Sequence, residues 1–348
     1  MTDEGLYTTD NPCQPILVNG ELMPTVPVLD QPSFPVSLKG INRHLVCKLS
    51  APTPSTTSSP TTFESTAKIF VINADGIFVA DLQADLDFTS IPSTKYPTTI
   101  TYDSVEKKIY WTDRTDKRIY RADEDGGNRE VVTFESTNAP EGIAIAESSR
   151  MLYSIRLVSS GKIHITSLDI GQGIAFPRNE AIFVTGVYAS STLVVDEEQG
   201  FLYWSTGGFD NIVRKLLNGS GGTETVYCST TLNNFYMMSI DLSRDPRRIF
   251  YLDDVDERAF YMDVNQPPTM THELTDYMHD TDFGEEEQRR IPLDMSYFNG
   301  ALYWIMRVGH EGHIAVMTDY DQSNRSFDLN KPLEINEHSR MLIINASP

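Results

Sequence analysis

The fold is decided by residues 98–134, which read TTITYDSVEKKIYWTDRTDKRIYRADEDGGNREVVTF. Short apolar-alternating runs are separated by polar turns in this stretch, as expected of consecutive short β-strands. The same order of strand, turn, aromatic strand, turn and strand returns at 191–228, which reads STLVVDEEQGFLYWSTGGFDNIVRKLLNGSGGTETVYC. The two stretches therefore predict a repeating unit built of short strands.

Four looser copies of the unit lie at 68–82, 141–169, 238–264 and 293–321. One aromatic residue marks the same point in each of the six copies: Phe70, Tyr110, Tyr153, Tyr203, Phe250 and Tyr303. Neighbouring marks are 40 to 53 residues apart, a spacing that fits blades of about four strands in a β-propeller. No helical 3.6-residue periodicity competes with this pattern. We predict an all-β fold, a six-bladed β-propeller.

The ends of the repeat region predict how the ring closes. The first copy lacks the inner strand that precedes the others, and a spare strand-like run, MLIIN, follows the sixth copy at 341–345. If this run joins the first blade, the ring is closed by a C-terminal strand. We therefore predict a propeller at 67–345, after a Ser/Thr/Pro-rich linker at 50–66 and an N-terminal segment at 1–49. That segment is expected to be poorly ordered or packed on the surface, and removing its first 48 residues should leave the propeller folded.

The string IYWTD at 109–113 resembles the YWTD repeat, or class B repeat, of low-density-lipoprotein receptors and their relatives, including nidogen. In that family six repeats form one propeller. Only the second copy keeps the full motif here, and the others read FVIN, YSIR, YWST, FYLD and YWIM. The resemblance implies that the aromatic residues pack between blades and that the aspartate bonds backbone across neighbouring repeats. The residues that take these structural roles are Tyr110, Trp111, Thr112, Asp113, Tyr203, Trp204, Tyr251, Asp253, Tyr303 and Trp304.

Binding in a propeller usually falls on the loops of one face or at the mouth of the central channel. The loops after each aromatic strand and the loops between blades are expected to share a face. The resemblance implies that this face binds a protein or lipoprotein, through exposed aromatic residues beside acidic ones. The candidate ligand-binding residues are Tyr96, Phe209, Phe235, Tyr236, Asp254, Asp256 and Glu257. The alternative for each aromatic residue is ordinary half-buried packing, and the alternative for the propeller is a structural spacer without a ligand.

The charge balance narrows the class of partner. The chain has 28 Lys plus Arg against 49 Asp plus Glu, a formal charge of −21, which disfavours nucleic acid and anionic membrane surfaces. The loop at 276–287 concentrates six of these acids and would attract a basic ligand, unless it is simply solvated. No apolar run is long enough to span a membrane, so direct membrane insertion is not expected.

The residues at the mouth of the predicted central channel bear on whether the chain is an enzyme, because six-bladed lactonases hold a divalent metal there. The starts of the inner strands offer Thr98, Glu141, Ser191, Ser239 and Asp294. Two carboxylates among five positions are too few for a cation cage, and no Gly-x-Ser-x-Gly elbow, phosphate loop or CxxC pair is present. The GHEGH string lacks the histidine spacing of zinc hydrolases. We predict a non-enzymatic protein without a cofactor or metal, with a metal-dependent lactonase as the alternative.

Location is expected from the resemblance, which implies an extracellular protein or the ectodomain of a membrane receptor. Asn218 and Asn324 stand in Asn-x-Ser triplets and are the predicted glycan acceptors. The first residues, MTDEGLYTTDNP, lack the basic start and apolar core of a secretory signal. The chain is therefore expected to be an incomplete copy of a longer secreted or membrane-anchored protein, or else an intracellular member. A disulfide between Cys13 and Cys47 is left open.

Overall fold

A computed structural model describes residues 16–18, 21–23, 67–82, 86–158, 162–188, 192–206, 211–228, 235–253, 258–264, 271–274, 290–308, 311–318, 320, 327–329 and 339–345. The chain divides into two compact units, Met1–Glu64 and Ser65–Pro348. The described part of the first unit is an antiparallel hairpin of β1 (Ile16–Val18) and β2 (Glu21–Met23). The predicted linker and the rest of the N-terminal segment lie outside the described residues, as do Cys13, Cys47 and Asn324.

The second unit consists of six antiparallel four-stranded sheets, and each sheet is one blade. Blade 1 contains β3 (Ala67–Asn73), β4 (Gly76–Asp81) and β5 (Thr89–Ile91), with β26 (Arg340–Asn345) as its inner strand. Blade 2 contains β6 (Pro97–Asp103), β7 (Lys108–Asp113), β8 (Arg118–Asp123) and β9 (Glu130–Val131). Blade 3 contains β10 (Pro140–Ala146), β11 (Met151–Leu157), β12 (Lys162–Asp169) and β13 (Ala181–Tyr188).

The remaining blades keep the same strand order. Blade 4 contains β14 (Leu193–Asp196), β15 (Phe201–Thr206), β16 (Asn211–Leu216) and β17 (Glu224–Cys228). Blade 5 contains β18 (Phe235–Asp241), β19 (Arg248–Asp253), β20 (Arg258–Asp263) and β21 (His272–Glu273). Blade 6 contains β22 (Arg290–Phe298), β23 (Ala301–Val308), β24 (Glu311–Met317) and β25 (Phe327–Leu329). The predicted all-β, six-bladed propeller is confirmed.

The ring closes as predicted. Strand β26 pairs antiparallel with β3, so that Arg340 lies opposite Ile72 and Asn345 lies opposite Ala67. The inner strands of successive blades contact one another in the order β6, β10, β14, β18, β22, β26 and back to β6. The first blade therefore takes its inner strand from the far end of the chain, and this strand joins blade 6 to blade 2.

Two consecutive aromatic residues on the second strand of a blade face different neighbours, because side chains alternate across a strand. In blade 2, Trp111 shares a buried cluster with Phe70 and Ile77 of blade 1. The adjacent Tyr110 shares a separate buried cluster with Ile143 of blade 3. Both rings are fully buried, and burial of a side chain of this size contributes roughly 2–3 kcal/mol. The aromatic pair thus packs against the neighbouring blades on both sides of its own blade.

Polar contacts add to these apolar seams at the ends of the inner strands. Asp103 of blade 2 accepts two hydrogen bonds, both 2.6 Å long, from the guanidinium of Arg150 in blade 3. Asp196 of blade 4 accepts bonds of 2.8 and 3.3 Å from Arg247 of blade 5. Each aspartate is fully buried, and paired N–H donors in this fork geometry are what a buried carboxylate needs.

Closure by β26 yields the first prediction. Deleting residues 340–348 removes the whole strand, leaves the backbone groups along one edge of β3 unpaired and opens the buried cluster that Met341 and Ile343 join, so we expect loss of the cooperative unfolding transition. Deleting only 346–348 leaves β26 intact and is the matched control. Thermal unfolding followed by near-ultraviolet circular dichroism measures both. An unchanged cooperative transition in the longer deletion would contradict closure by this strand.

Candidate functional site

Two sets of loops meet at the face where the inner strands begin, which we call the loop face. The backbone N–H of Arg114, in the turn after β7, donates a 3.2 Å hydrogen bond to the carbonyl of Tyr96, in the loop before β6. The start of β6 and the end of β7 lie side by side, with Pro97 opposite Asp113. Blades 3, 5 and 6 show the same arrangement, because the first residue of each inner strand pairs near the end of the second strand.

Tyr96 is the predicted ligand-binding residue whose side chain the structure describes. It is 55% exposed on the loop face, and its backbone is left-handed with φ of 41°. The loop that carries it is anchored by Thr94, which is 7% exposed. The Thr94 hydroxyl donates to the carbonyl of Ile91 at 3.0 Å and accepts from the N–H of Ile77 at 3.0 Å. A left-handed tyrosine is retained only where its surroundings hold the backbone, so the backbone that carries this exposed ring is fixed.

Charges of both signs lie around Tyr96. Lys95 and Arg114 are exposed beside it, and Asp75 and Asp116 are exposed in the neighbouring turns. The loop face of blades 1 and 2 therefore has mixed charge. The acids predicted to flank the ligand-binding aromatic residues, Asp254, Asp256 and Glu257, lie outside the described residues, as does Phe209. The backbones of Phe235 and Tyr236 lie in β18, at the loop face.

Blade 3 has a buried polar network at the position where blades 2, 4 and 6 have the tryptophan of the motif. Ser154 replaces the tryptophan and Arg156 replaces the aspartate of the motif. The guanidinium of Arg156 donates to Glu180 through Nε at 2.9 Å and through Nη2 at 2.5 Å, and Glu180 also accepts from the Ser154 hydroxyl. Its remaining N–H groups donate across the seam to the carbonyls of Lys117 and Asn138, and to the Thr133 hydroxyl. A single buried side chain thereby holds the loop-face turns of blade 2.

The motif residues assigned structural roles are mostly inaccessible. Tyr110, Trp111, Thr112, Asp113, Tyr203, Trp204, Tyr251 and Trp304 are each at most 2% exposed, and Tyr303 is half-buried. The expectation for Asp113 needs correction. Its carboxylate accepts from the N–H of Asp116 at 2.8 Å, within its own turn, and burial raises its pKa. Aspartates that do bond between blades include Asp103 and Asp196, at the ends of inner strands. The side chain of Asp253 lies outside the described set.

The inner strands begin at positions that differ in part from the five predicted strand starts. Four inner strands contain a register shift, between Pro97 and Thr99, Pro140 and Gly142, Phe235 and Met237, and Pro292 and Asp294. The residues inside these bulges are Thr98, Glu141, Tyr236 and Leu293, so Ser239 and Asp294 occupy other positions. Thr98 donates to the carbonyl of Pro140 in the next blade at 3.1 Å. Across the described ranges, no three His, Cys, Asp or Glu side chains are grouped as a metal site.

Asp294 is a deeply buried acid at the seam between blades 6 and 1. Its side chain accepts from the N–H of Met295 at 2.9 Å and from the N–H of Met341 in β26 at 2.7 Å. Burial raises the pKa of Asp294 from its usual 3.8 to about 6, and the charge of Arg340 together with the two N–H donors opposes this rise only partly.

The structure also places Asn218, a predicted glycan acceptor, at an exposed turn after β16. No described helix has the length and apolarity to cross a membrane.

The Asp294 carboxyl yields a prediction about pH. Because its pKa is higher in the folded chain than in the unfolded chain, its stabilising contribution is complete below pH 3.8 and is lost as the pH rises through about 6. The wild-type free energy of unfolding, measured relative to the Asp294→Asn variant, should therefore fall by about 1 kcal/mol between pH 5 and pH 7.5. Chemical denaturation at several pH values measures the difference. A difference that rises with pH would contradict the assignment.

Comparisons with known proteins agree on the architecture. No known family profile matches the chain. A curated protein named low-density lipoprotein receptor-related protein 1, from Pyricularia oryzae strain 70-15, is 27% identical over 125 residues, which cover 32% of this chain and 40% of that protein. The match thus spans less than half of that relative.

Two solved structures are similar over most of the chain. The nidogen/laminin complex contains a chain that superposes with a TM-score of 0.61 at 16% identity, covering 80% of this chain and 98% of that one. TolB from Acinetobacter baumannii superposes with a TM-score of 0.56 at 16% identity, covering 80% and 66%. The resemblance drawn from the motif is confirmed as a similarity: this chain is a six-bladed β-propeller, similar in fold to the chain of the nidogen/laminin complex and, over about a third of its length, similar in sequence to the low-density lipoprotein receptor-related protein.

Proposed function

We propose that this propeller is a non-enzymatic binding module that recognises a protein ligand on its loop face. The observation that carries the proposal is the exposed ring of Tyr96 on a constrained, left-handed backbone. Tyrosine is enriched among the residues that dominate protein interfaces, since it offers a large contact area with few rotatable bonds. A loop whose backbone is already ordered before binding loses little conformational entropy when a partner covers it.

The surrounding scaffold supports this use of the loop face. The turns that flank Tyr96 are tied to β-strands, and the neighbouring turns of blade 2 are held from below by Arg156. Rigid strands that present ordered loops are a common arrangement in binding domains. The threonine at the rim of blade 2, Thr98, is engaged in a bond between blades, which favours a structural use of the rim over catalysis.

The compared proteins support a protein ligand and an extracellular setting. One is named as a receptor-related protein, and the other was solved in a complex of nidogen with laminin. The class of ligand is therefore proposed to be a protein, with a lipoprotein as a narrower case. The charges around Tyr96 are of both signs, so they do not by themselves favour a basic ligand. A preference for a basic ligand would come instead from the net charge of the whole chain, which is −21.

Site-specific crosslinking tests the proposal. The photoreactive residue p-benzoylphenylalanine replaces Tyr96 in one full-length variant, and in the matched control it replaces Val105, which is 50% exposed in the turn after β6 on the opposite face. Each variant is irradiated with the secreted and cell-surface proteins of the source organism, and in parallel with its cytosolic proteins. We expect a crosslinked protein from position 96 and none from position 105.

Competition establishes specificity. Excess wild-type chain should abolish the crosslink, whereas excess Tyr96→Ala chain should compete at least about tenfold less well, as expected for loss of a central interface tyrosine. Equal products from both positions, or none from position 96, would refute binding on the loop face. A specific product found only with cytosolic proteins would refute the extracellular setting.

A further inference from the structure

Another exposed aromatic ring lies on the loop face of blade 2, in the segment after β9. Phe134 is 52% exposed, nearly as much as Tyr96 at 55%. The N–H of Phe134 donates to the carbonyl of Arg178 at 3.3 Å. The N–H of Ser136 donates to the carbonyl of Lys117, also at 3.3 Å. The ring of Phe134 is therefore carried by an ordered backbone beside the turn between β7 and β8.

That turn, residues 114–117, separates the two exposed rings. Tyr96 lies beside Arg114 at one end of the turn, and Phe134 continues the line of β9 to lie beside Lys117 at the other end. The four chain segments follow one another in the order of the sheet, so the backbones of Tyr96 and Phe134 are three strand spacings apart, or about 14 Å. Side chains four residues apart in an extended peptide lie about 13 Å apart on one face. One extended peptide can therefore contact both rings.

Two exposed cations lie at the Tyr96 end of this surface. Lys95 precedes Tyr96, and Arg114 lies between the two rings. Within the part of the chain that the structure describes, neither cation has an ion pair or a side-chain hydrogen bond. Asp75, the exposed acid near Tyr96, belongs to the turn between β3 and β4 of blade 1, outside the line from one ring to the other. A carboxylate of a bound peptide would give Arg114 the partner for which its paired N–H donors are suited.

The other charged side chains of this surface are already engaged. The Asp116 carboxylate accepts from the hydroxyl of Tyr120 at 2.6 Å, and the Lys117 ammonium donates to a backbone carbonyl at 3.2 Å. Glu135 pairs with Arg118 at 3.4 Å. The charge that is left to recognise a ligand between the two rings is therefore positive, although the whole chain carries −21.

We propose that the loop face of blade 2 binds an extended acidic segment of the protein ligand. Two apolar side chains four residues apart contact Tyr96 and Phe134, and a carboxylate midway between them pairs with Arg114. The middle residue of such a segment points to the same side as the two apolar residues, because side chains alternate along an extended chain. The inference rests on the proposed function and narrows its ligand to an acidic segment, whereas the net charge of the chain favours a basic one.

Selection from a phage-displayed library of random linear peptides, with the immobilised full chain as bait, tests this inference. We expect the enriched peptides to carry apolar residues at positions i and i+4 and Asp or Glu at position i+2. Enrichment of basic peptides, or the absence of this pattern, would overturn the inference.

A synthetic peptide with the selected sequence separates the contributions of charge and spacing. Replacing its central acid by the matching amide should weaken binding at least about fivefold, since a charge-assisted hydrogen bond is lost. Moving the second apolar residue two positions closer should have an effect of similar size, since one ring then loses its contact. Fluorescence polarisation measures both peptides against the selected one. Equal binding of either altered peptide would contradict the proposed arrangement.

Variants of the full chain locate the surface. Arg114→Gln and Phe134→Ala should each weaken binding of the selected peptide at least about fivefold. The matched controls, Lys107→Gln and Val105→Ala, replace exposed side chains in the turn after β6 on the opposite face and should not change binding. All four substitutions are at exposed positions, and the thermal transition of each variant shows whether it is folded. Unchanged binding in a folded Arg114 or Phe134 variant would overturn the inference.

The two proposals can fail separately. If position 96 gives a specific crosslinked protein but no peptide is enriched, the acidic segment is refuted and binding on the loop face stands. The same holds if Tyr96→Ala abolishes peptide binding while the Arg114 and Phe134 variants bind normally. If position 96 gives no crosslinked protein, the proposed function is refuted, and this inference with it.

Discussion

Packing of two consecutive aromatic side chains against two different neighbouring blades is the interaction on which this structure depends. A strand sends adjacent side chains to opposite faces of its sheet, so a Tyr-Trp pair contributes to both seams of its blade. Trp204 lies in a cluster with Tyr153 and Ile155 of blade 3, and Tyr203 lies in a cluster with Ile249 of blade 5. Four of the six blades carry such a pair, and the apolar seams that the pairs form join sheets that would otherwise have exposed apolar faces.

Packing, more than hydrogen bonding, explains why three blades have a tryptophan at the same position of the motif. The Nε1 atoms of Trp111, Trp204 and Trp304 are buried and have no hydrogen-bond partner among the described residues. Leaving a buried donor unpaired costs about 1–3 kcal/mol. The indole ring is retained at three equivalent positions in spite of this cost, which indicates that its size is what the tapering space between blades requires. Blade 3 fills the same space differently, with Ser154, Arg156 and Glu180.

The propeller could be predicted from the sequence because its evidence is local and repeated. Each aromatic strand marks one blade, and the unmatched run at 341–345 predicts the closing strand. The polar network of blade 3 could not be predicted, because Glu180 lies in a segment without an equivalent in the other repeats. A signal existed in the substitution of the motif aspartate by Arg156, since a buried arginine requires an acidic partner, but its spacing to Glu180 follows no repeat.

The candidate sites were only partly predictable. Tyr96 followed from its place in a loop between blades, but its exposure and left-handed backbone depend on contacts with Ile77 and Arg114 that the sequence does not reveal. The hydrogen bond from the N–H of Met341 to Asp294 arises only when the C-terminal strand enters blade 1. The bulges in the inner strands could not be predicted, because an inserted residue shifts the register without changing the hydrophobic pattern. For this reason Asp294 was expected at the start of its strand, where the structure does not place it.

The central claim is that the ring is one cooperative unit held closed by β26, and native-state hydrogen exchange of the backbone tests it most directly. Met341 donates its N–H to Asp294, and β26 pairs with β3 along its length. We predict that the amides of Leu342 and Ile344, which face β3, exchange only through global unfolding, with the same free energy as the amide of Trp111 in the centre of blade 2. Exchange of the β26 amides at a free energy several kcal/mol lower would show that the ring opens at this seam while the rest stays folded, and would contradict the account.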